Sequence, residues 1–203
     1  KYYPDFNSIL KRYGSVQIRN VGTIAGNIAT ASPIGDTLPL LLSLDAKLVL
    51  QKKSNKTVLP LNRFFISYRK TRLKKGQFIY SIIIPIFKKN IFKAYKISKR
   101  VDDDISSVCA SFNLEIVNKK IKNVKIAYGG MAPIPKRAIN CEKTLVNLSL
   151  SEESFNKAIK KLEKDFAPID DMRASKNYRM EIAKNLLMKC FLEIKNRKLI
   201  RLN

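Results

Sequence analysis

Residues 100–104 set three consecutive carboxylates, Asp102, Asp103 and Asp104, beside the guanidinium of Arg100, in a chain whose formal charge is +24. Adjacent like charges repel, so such a run is costly unless something nearby needs it; the alternative is a solvated acidic turn between strands. A second stretch with chemical potential is residues 22–32. Gly22, Thr23, Ala25, Gly26, Asn27, Ala29, Thr30, Ala31 and Ser32 are all small. Glycine and alanine let main-chain N–H groups approach a ligand, and Thr, Asn and Ser add short donors. The stretch suits a phosphate, although composition does not name the ligand, and a tight packing turn remains the alternative. Residues 16–21 before it read as a strand, with Ile18 between the polar Gln17 and Arg19. Asp36 falls at the N-cap position ahead of Leu38, Leu41, Leu42 and Leu44. The expected order is strand, ligand-wrapping loop, helix.

The composition removes several other chemistries. There is no His, and Cys109, Cys141 and Cys190 lie far apart without a C-x-x-C, which argues against a zinc or iron–sulphur site. Cys109 and Cys190 fall on apolar faces and read as core residues. No disulfide framework is visible, in keeping with a reducing, cytoplasmic compartment. Neither a membrane-spanning apolar run nor a signal-peptide pattern occurs. The charge raises a rival reading, a basic nucleic-acid-binding module with steeply salt-dependent affinity. Against it, the lysines are scattered, and Lys52-Lys53, Lys74-Lys75, Lys88-Lys89 and Lys119-Lys120 sit in expected turns. No basic strand interleaved with aromatics offers a stacking platform.

The elements that must position these residues read as α+β. The 203 residues, 45% of them hydrophobic, suffice for one large domain or two small ones. Phe6, Ile9, Leu10 and Tyr13 make one helix face. Residues 37–44 read as a short helix with Pro39 in its first turn. A hairpin at 46–51 and 57–59, a helical turn at 61–65 and a strand at 78–84, stopped by Pro85, follow. Residues 91–98 read as a strand. Val108, Ala110, Phe112, Leu114 and Ile116 alternate as a half-buried antiparallel strand, which returns through Val124, Ile126 and Tyr128. Ser149 with Glu152 has the pattern of a capping box. Phe155, Ile159, Leu162 and Phe166 form one helix face, and residues 178–194 keep the 3.6-residue period. With no regular βαβ alternation, an antiparallel sheet covered by helices on one face is the simplest assembly.

The residues at 17–20 (Gln-Ile-Arg-Asn), 22–29 (Gly-Thr-Ile-Ala-Gly-Asn-Ile-Ala) and 32–36 (Ser-Pro-Ile-Gly-Asp) together resemble the flavin-binding segment of the molybdenum hydroxylases. The form they resemble is the flavin- and iron–sulphur-carrying small subunit of the xanthine dehydrogenase type; the family also holds aldehyde oxidases and carbon monoxide dehydrogenase flavoproteins, and the alternative reading is the flavoprotein subunit of a related aldehyde, carbon monoxide or aromatic-thioester oxidoreductase. Tyr68-Arg69-Lys70-Thr71, Tyr95-Lys96, Arg100 with Asp103-Asp104-Ile105, and residues 128–132 (Tyr-Gly-Gly-Met-Ala) extend the resemblance over nearly the whole chain.

The resemblance implies FAD as cofactor. Residues 1–87 would be the second lobe of the FAD-binding domain, antiparallel strands with short helices, and 88–203 the C-terminal domain. Gly22, Thr23, Ile24, Ala25 and Gly26 would wrap the diphosphate, supported by Asn27 and Thr30. Many members of the family carry a second glycine where this chain has Ala25. Tyr13 falls where the family sets an aromatic against the ring system, with plain core packing as the alternative. Asp36 matches an acidic FAD contact, and Ile79 and Lys96 match positions lining the cofactor. The loop with Arg100, Asp103, Asp104 and Ile105 would lie beside the ring, where carboxylates tune its potential and Arg100 opposes them. No residue of this chain need act as acid, base or nucleophile. Molybdopterin and the iron–sulphur clusters are expected elsewhere in the complex, on a molybdenum-binding large subunit and on upstream domains, with NAD+ as acceptor. The family's first lobe, with another Gly-rich loop, has no counterpart here. That makes the chain an expected C-terminal fragment, binding FAD weakly if at all by itself.

Overall fold

The computed structural model describes residues 2–199. Four short helices open the chain: α1 (Pro4–Lys11), α2 (Val16–Val21), α3 (Ile24–Thr30) and α4 (Thr37–Ser43). Then come β1 (Lys47–Lys52), β2 (Asn55–Pro60), a 3-10 turn at Leu61–Arg63, the small ribbon β3 (Phe65–Ser67) and β4 (Lys70–Thr71), and β5 (Phe78–Ile83). Strands β2-β1-β5 make an antiparallel sheet. The second half builds an antiparallel sheet in the order β6 (Asn90–Ile97), β7 (Val108–Val117), β8 (Lys120–Gly129), β9 (Lys136–Arg137). Helices α5 (Ile139–Leu145), α6 (Glu152–Ile159), α7 (Leu162–Asp165) and α8 (Lys176–Asn196) follow. The α+β class is as expected.

Two apolar cores lie on opposite faces of the second sheet. Val108, Ala110, Phe112 and Leu114 of β7 point into a core shared with α5 to α8. Cys109 of β7 and Ala127 of β8 point the other way, into a core with α4, Phe6, Ile9 and the first sheet. The one-face assembly is therefore corrected: helices cover both faces, and β7 is buried along most of its length. Ser111 and Asn113, which alternation assigns to solvent, instead meet the C-terminal end of α4. The Ser43 and Ser111 hydroxyls share a hydrogen bond of 2.7 Å, and Asn113 Nδ2 donates to the Ser43 carbonyl at 3.1 Å. All seven residues of α4 are buried, so its terminal carbonyls need protein partners.

The opening segment departs most from expectation. Residues 16–21 are a helix. Ser15 caps it, its Oγ accepting from Ile18 N at 3.3 Å, and among the described residues no strand pairs with it. Residues 24–30 are also helical. Thr23 Oγ1 accepts from Gly26 N at 2.9 Å, and a single glycine is tolerated in so short a helix. The strand-then-loop order is replaced by two capped helices joined at Gly22. Elsewhere, Ser151 and not Ser149 caps α6, accepting from Ser154 N at 3.3 Å, while Ser149 bridges to Lys120. The expected single helix through Phe155 and Phe166 breaks between α6 and α7.

Candidate functional site

A cavity of about 220 Å³ opens where α1, α2, α3 and α4 meet. Tyr13 and Leu10 line it from the end of α1, Arg19 from α2, Gly22 and Thr23 from the junction, Ile24 and Asn27 from α3, and Thr37 from α4. Five residues singled out from the sequence, Tyr13, Gly22, Thr23, Ile24 and Asn27, thus share one wall. An opening of about 410 Å³ beside Asp45 and Arg137 is larger but holds none of them.

Among the described residues, the start of α3 has donors without an acceptor. Thr23 takes the amide of Gly26 on its hydroxyl and that of Asn27 on its carbonyl. The amides of Ile24 and Ala25, at the first helical positions, have no acceptor within the helix. A side chain on Gly26 would bring Cβ to 3.0 Å from Thr23 Oγ1, and one on Gly22 would come to 2.8 Å from the Ile18 carbonyl. The backbone is close-packed at both positions. Thr30 donates back to the Gly26 carbonyl at 2.9 Å.

The polar wall is ordered by a short relay. Thr37 Oγ1 donates to Asn27 Oδ1 at 2.5 Å, and Asn27 Nδ2 donates to Tyr13 Oη at 3.0 Å. Arg19 grips the turn below, donating to the carbonyls of Tyr13 at 3.1 Å and Gly14 at 2.6 Å. Burial, and then the charge of Asp36, push the Tyr13 hydroxyl above its ordinary range, so it stays protonated at neutral pH.

Asp36 and Lys96 pair beside this cavity without lining it. Both are 5% exposed. Lys96 Nζ lies 2.6 Å from Asp36 Oδ2 and donates to the Arg12 carbonyl at 3.0 Å; Ser106 donates to Asp36 Oδ1 at 2.5 Å. Asp36 occupies the N-cap position of α4, but its side chain caps nothing and turns inward. Ile79 of β5 packs, partly buried, against the core shared with α4 and the first sheet. Asp103 and Ile105 are exposed on the loop after β6, where Asp103 takes a φ of 51°. Asp104 accepts from the amides of Arg100 at 2.8 Å and Ile105 at 2.9 Å, which lowers its pKa, the Arg100 bond most.

Sequence reasoning missed Arg12, Thr37 and Ser106. Arg12 donates to the carbonyls of Val101 at 2.9 Å and Lys96 at 3.2 Å, and Ser106 ties the far end of the same loop to Asp36. The acidic loop is thereby anchored at both ends to neighbours of Tyr13 and Thr37. No local pattern signals contacts spanning 70 to 89 positions. Among the described residues, no cluster of His, Cys, Asp and Glu could hold a metal, and no helix is long and apolar enough to cross a membrane.

The fold and this cavity sit within known families. Residues 1–87 match the FAD binding domain in molybdopterin dehydrogenase, and residues 93–194 match the CO dehydrogenase flavoprotein C-terminal domain. The chain belongs to this FAD-binding flavoprotein family of the molybdopterin dehydrogenases. It is 30% identical to the glyceraldehyde dehydrogenase medium chain of Sulfolobus acidocaldarius, over 94% of this chain and 68% of that one. It is 36% identical to a xanthine dehydrogenase of Emericella nidulans over 77% of this chain but only 12% of that protein. The fold matches a carbon monoxide dehydrogenase chain from Hydrogenophaga pseudoflava with a TM-score of 0.85 at 23% identity, covering 91% of this chain and 64% of that one.

The residues present fit an FAD. Free amides at the start of α3 suit a phosphate, and the adjoining wall of Tyr13, Leu10 and Ile24 suits a flat apolar ring.

Proposed function

We propose that this chain carries the FAD of a xanthine dehydrogenase-like molybdenum hydroxylase. It receives electrons from iron–sulphur centres held elsewhere and delivers them to NAD+, in a cytoplasmic complex with a molybdenum-binding large subunit. The observation that carries the reading is the convergence of Tyr13, Gly22, Thr23, Ile24 and Asn27 on one cavity, inside the segment matched to a FAD-binding domain. Bound FAD supplies the two-electron chemistry.

The residues of the chain position and insulate. The amides of Ile24 and Ala25 meet the diphosphate, and Gly22 and Gly26 keep the backbone close enough for that contact. Tyr13 would face the ring system, and Ile79 would support the site from the core shared with α4 and the first sheet. Asp36 and Lys96, committed to each other outside the cavity lining, would act on the cofactor through the neighbours they fix. Arg100, Asp103 and Ile105 sit on a loop tied by Arg12 and Ser106 to neighbours of Tyr13 and Thr37, which supports a place for it near the ring edge, where nicotinamide would arrive.

A second reading keeps the cofactor and changes the substrate to an aldehyde. It is favoured by the likeness to glyceraldehyde dehydrogenase medium chain, which spans nearly the whole chain. FAD titration, followed by quenching of flavin fluorescence, tests the shared part: Gly26→Leu and Asp36→Ala should both weaken binding. If both variants hold FAD as tightly as the parent, the site assignment is wrong. Anaerobic reduction of the bound flavin by NADH tests the acceptor.

A further inference from the structure

The Thr37–Asn27–Tyr13 relay has a direction, set by which end of the Asn27 amide meets which hydroxyl. Asn27 Oδ1 faces Thr37 Oγ1 at 2.5 Å and can only accept there. Asn27 Nδ2 faces Tyr13 Oη at 3.0 Å and can only donate. A phenol hydroxyl has one proton and can accept as well as donate. Its acceptor side is taken by Asn27, and among the described residues its own proton has no partner. Tyr13, Asn27 and Thr37 all line the 220 Å³ cavity.

We propose that Thr37 and Asn27 turn the Tyr13 hydroxyl into a dedicated hydrogen-bond donor to the ligand in this cavity, a subsite for a carbonyl oxygen or ring nitrogen of a flat heterocycle. A flat ring packs against an aromatic side chain without any hydroxyl, so the polar function is additional to stacking. The ligand's identity as FAD rests on the reading above; the direction of the relay does not. The charged groups around Tyr13 support it. Asp36 disfavours the phenolate and is itself balanced by Lys96, while Arg19 is spent on the Tyr13 and Gly14 carbonyls. The hydroxyl therefore keeps its proton through the neutral range.

The test has two arms. In the first, the Tyr13 hydroxyl is titrated by NMR of tyrosine labelled at the ζ carbon, in the parent and in Asn27→Ala. A hydrogen bond donated by Asn27 stabilises the phenolate, so its loss raises the Tyr13 pKa. A fall, or no change, means that Tyr13 donates to Asn27, and overturns the proposal. In the second, FAD affinity and the flavin absorption bands are compared in the parent, Tyr13→Phe and Asn27→Asp. The aspartate is isosteric but can only accept, so it draws the Tyr13 proton away from the ligand. Both variants should weaken FAD by about tenfold, the loss of one hydrogen bond, and shift the bands in the same sense. Unchanged affinity and bands in Tyr13→Phe would remove the subsite. If the parent holds no FAD, as the resemblance expects of this chain by itself, the sign of the titration alone decides the relay.

Discussion

Lys96 and Asp36 lie 60 positions apart in sequence and 2.6 Å apart in space, both all but sealed from water. Their pair joins β6 to the start of α4, and the Arg12 carbonyl on the same ammonium adds the end of α1. A buried pair contributes little net free energy, but removing one partner strands the other charge. Lys96→Met should destabilise the fold by about 3–5 kcal/mol. Lys96→Met with Asp36→Leu should recover much of that loss. Urea unfolding of the single and double variants measures both; a single variant as stable as the parent would show that the pair is not closed in solution.

The strap between α7 and α8 depends on another carboxylate. Asp171 accepts from Arg179 at 2.6 Å and from the amides of Arg173 at 2.8 Å and Ala174 at 3.2 Å. Burial works against its charge, but the two amides and the guanidinium outweigh it, and the net shift is downward. A depressed carboxylate adds stability above its unfolded value of 3.8, lost as pH falls through the lower folded value. Asp171→Asn should therefore lower the melting temperature at neutral pH and leave it near that of the parent at the acid end of a pH series.

Gly130 should resist substitution. Its φ is +84°, and an added Cβ would run into the Ser107 carbonyl and come within 2.9 Å of Arg179 Nη1. Arg179, 2% exposed, donates to both Ser107 O and Gly130 O, so neither can move away cheaply. Gly130→Ala should cost roughly 1–3 kcal/mol from backbone strain alone, read as a lower urea midpoint at unchanged slope.

The three thiols should be inert. Cys109, Cys141 and Cys190 are all buried, and burial, the largest cause in each, raises each thiol well above its ordinary range. A thiolate is the reactive form, so a disulfide reagent should label none of them in the folded protein and all three in denaturant. Fast labelling of Cys109 under native conditions would show that the packing around Asp36, whose carbonyl accepts from the Cys109 thiol, opens readily.

The strands β1, β2 and β5 to β8 and the apolar faces of β7, β8 and α8 could be read in the sequence, because burial on a sheet or helix prints its own period along the chain. The chemical character of residues 13–36 was legible too, since small residues and short donors in a run are a local property. Three things were not. Residues 16–21 alternate like a strand, yet Ser15 caps them into a helix, and six residues are too few to separate the two periods. Ser111 and Asn113 look solvent-facing until α4 lands on them. The roles of Arg12, Thr37 and Ser106 also escaped, because each bonds to a group far along the chain or across a helix junction. Sequence determines what each segment can become, through propensity and pattern that act over a few residues. Which donor meets which acceptor at the cavity was decided only by tertiary packing, since burying a polar group forces it to find its partner wherever the fold brings one.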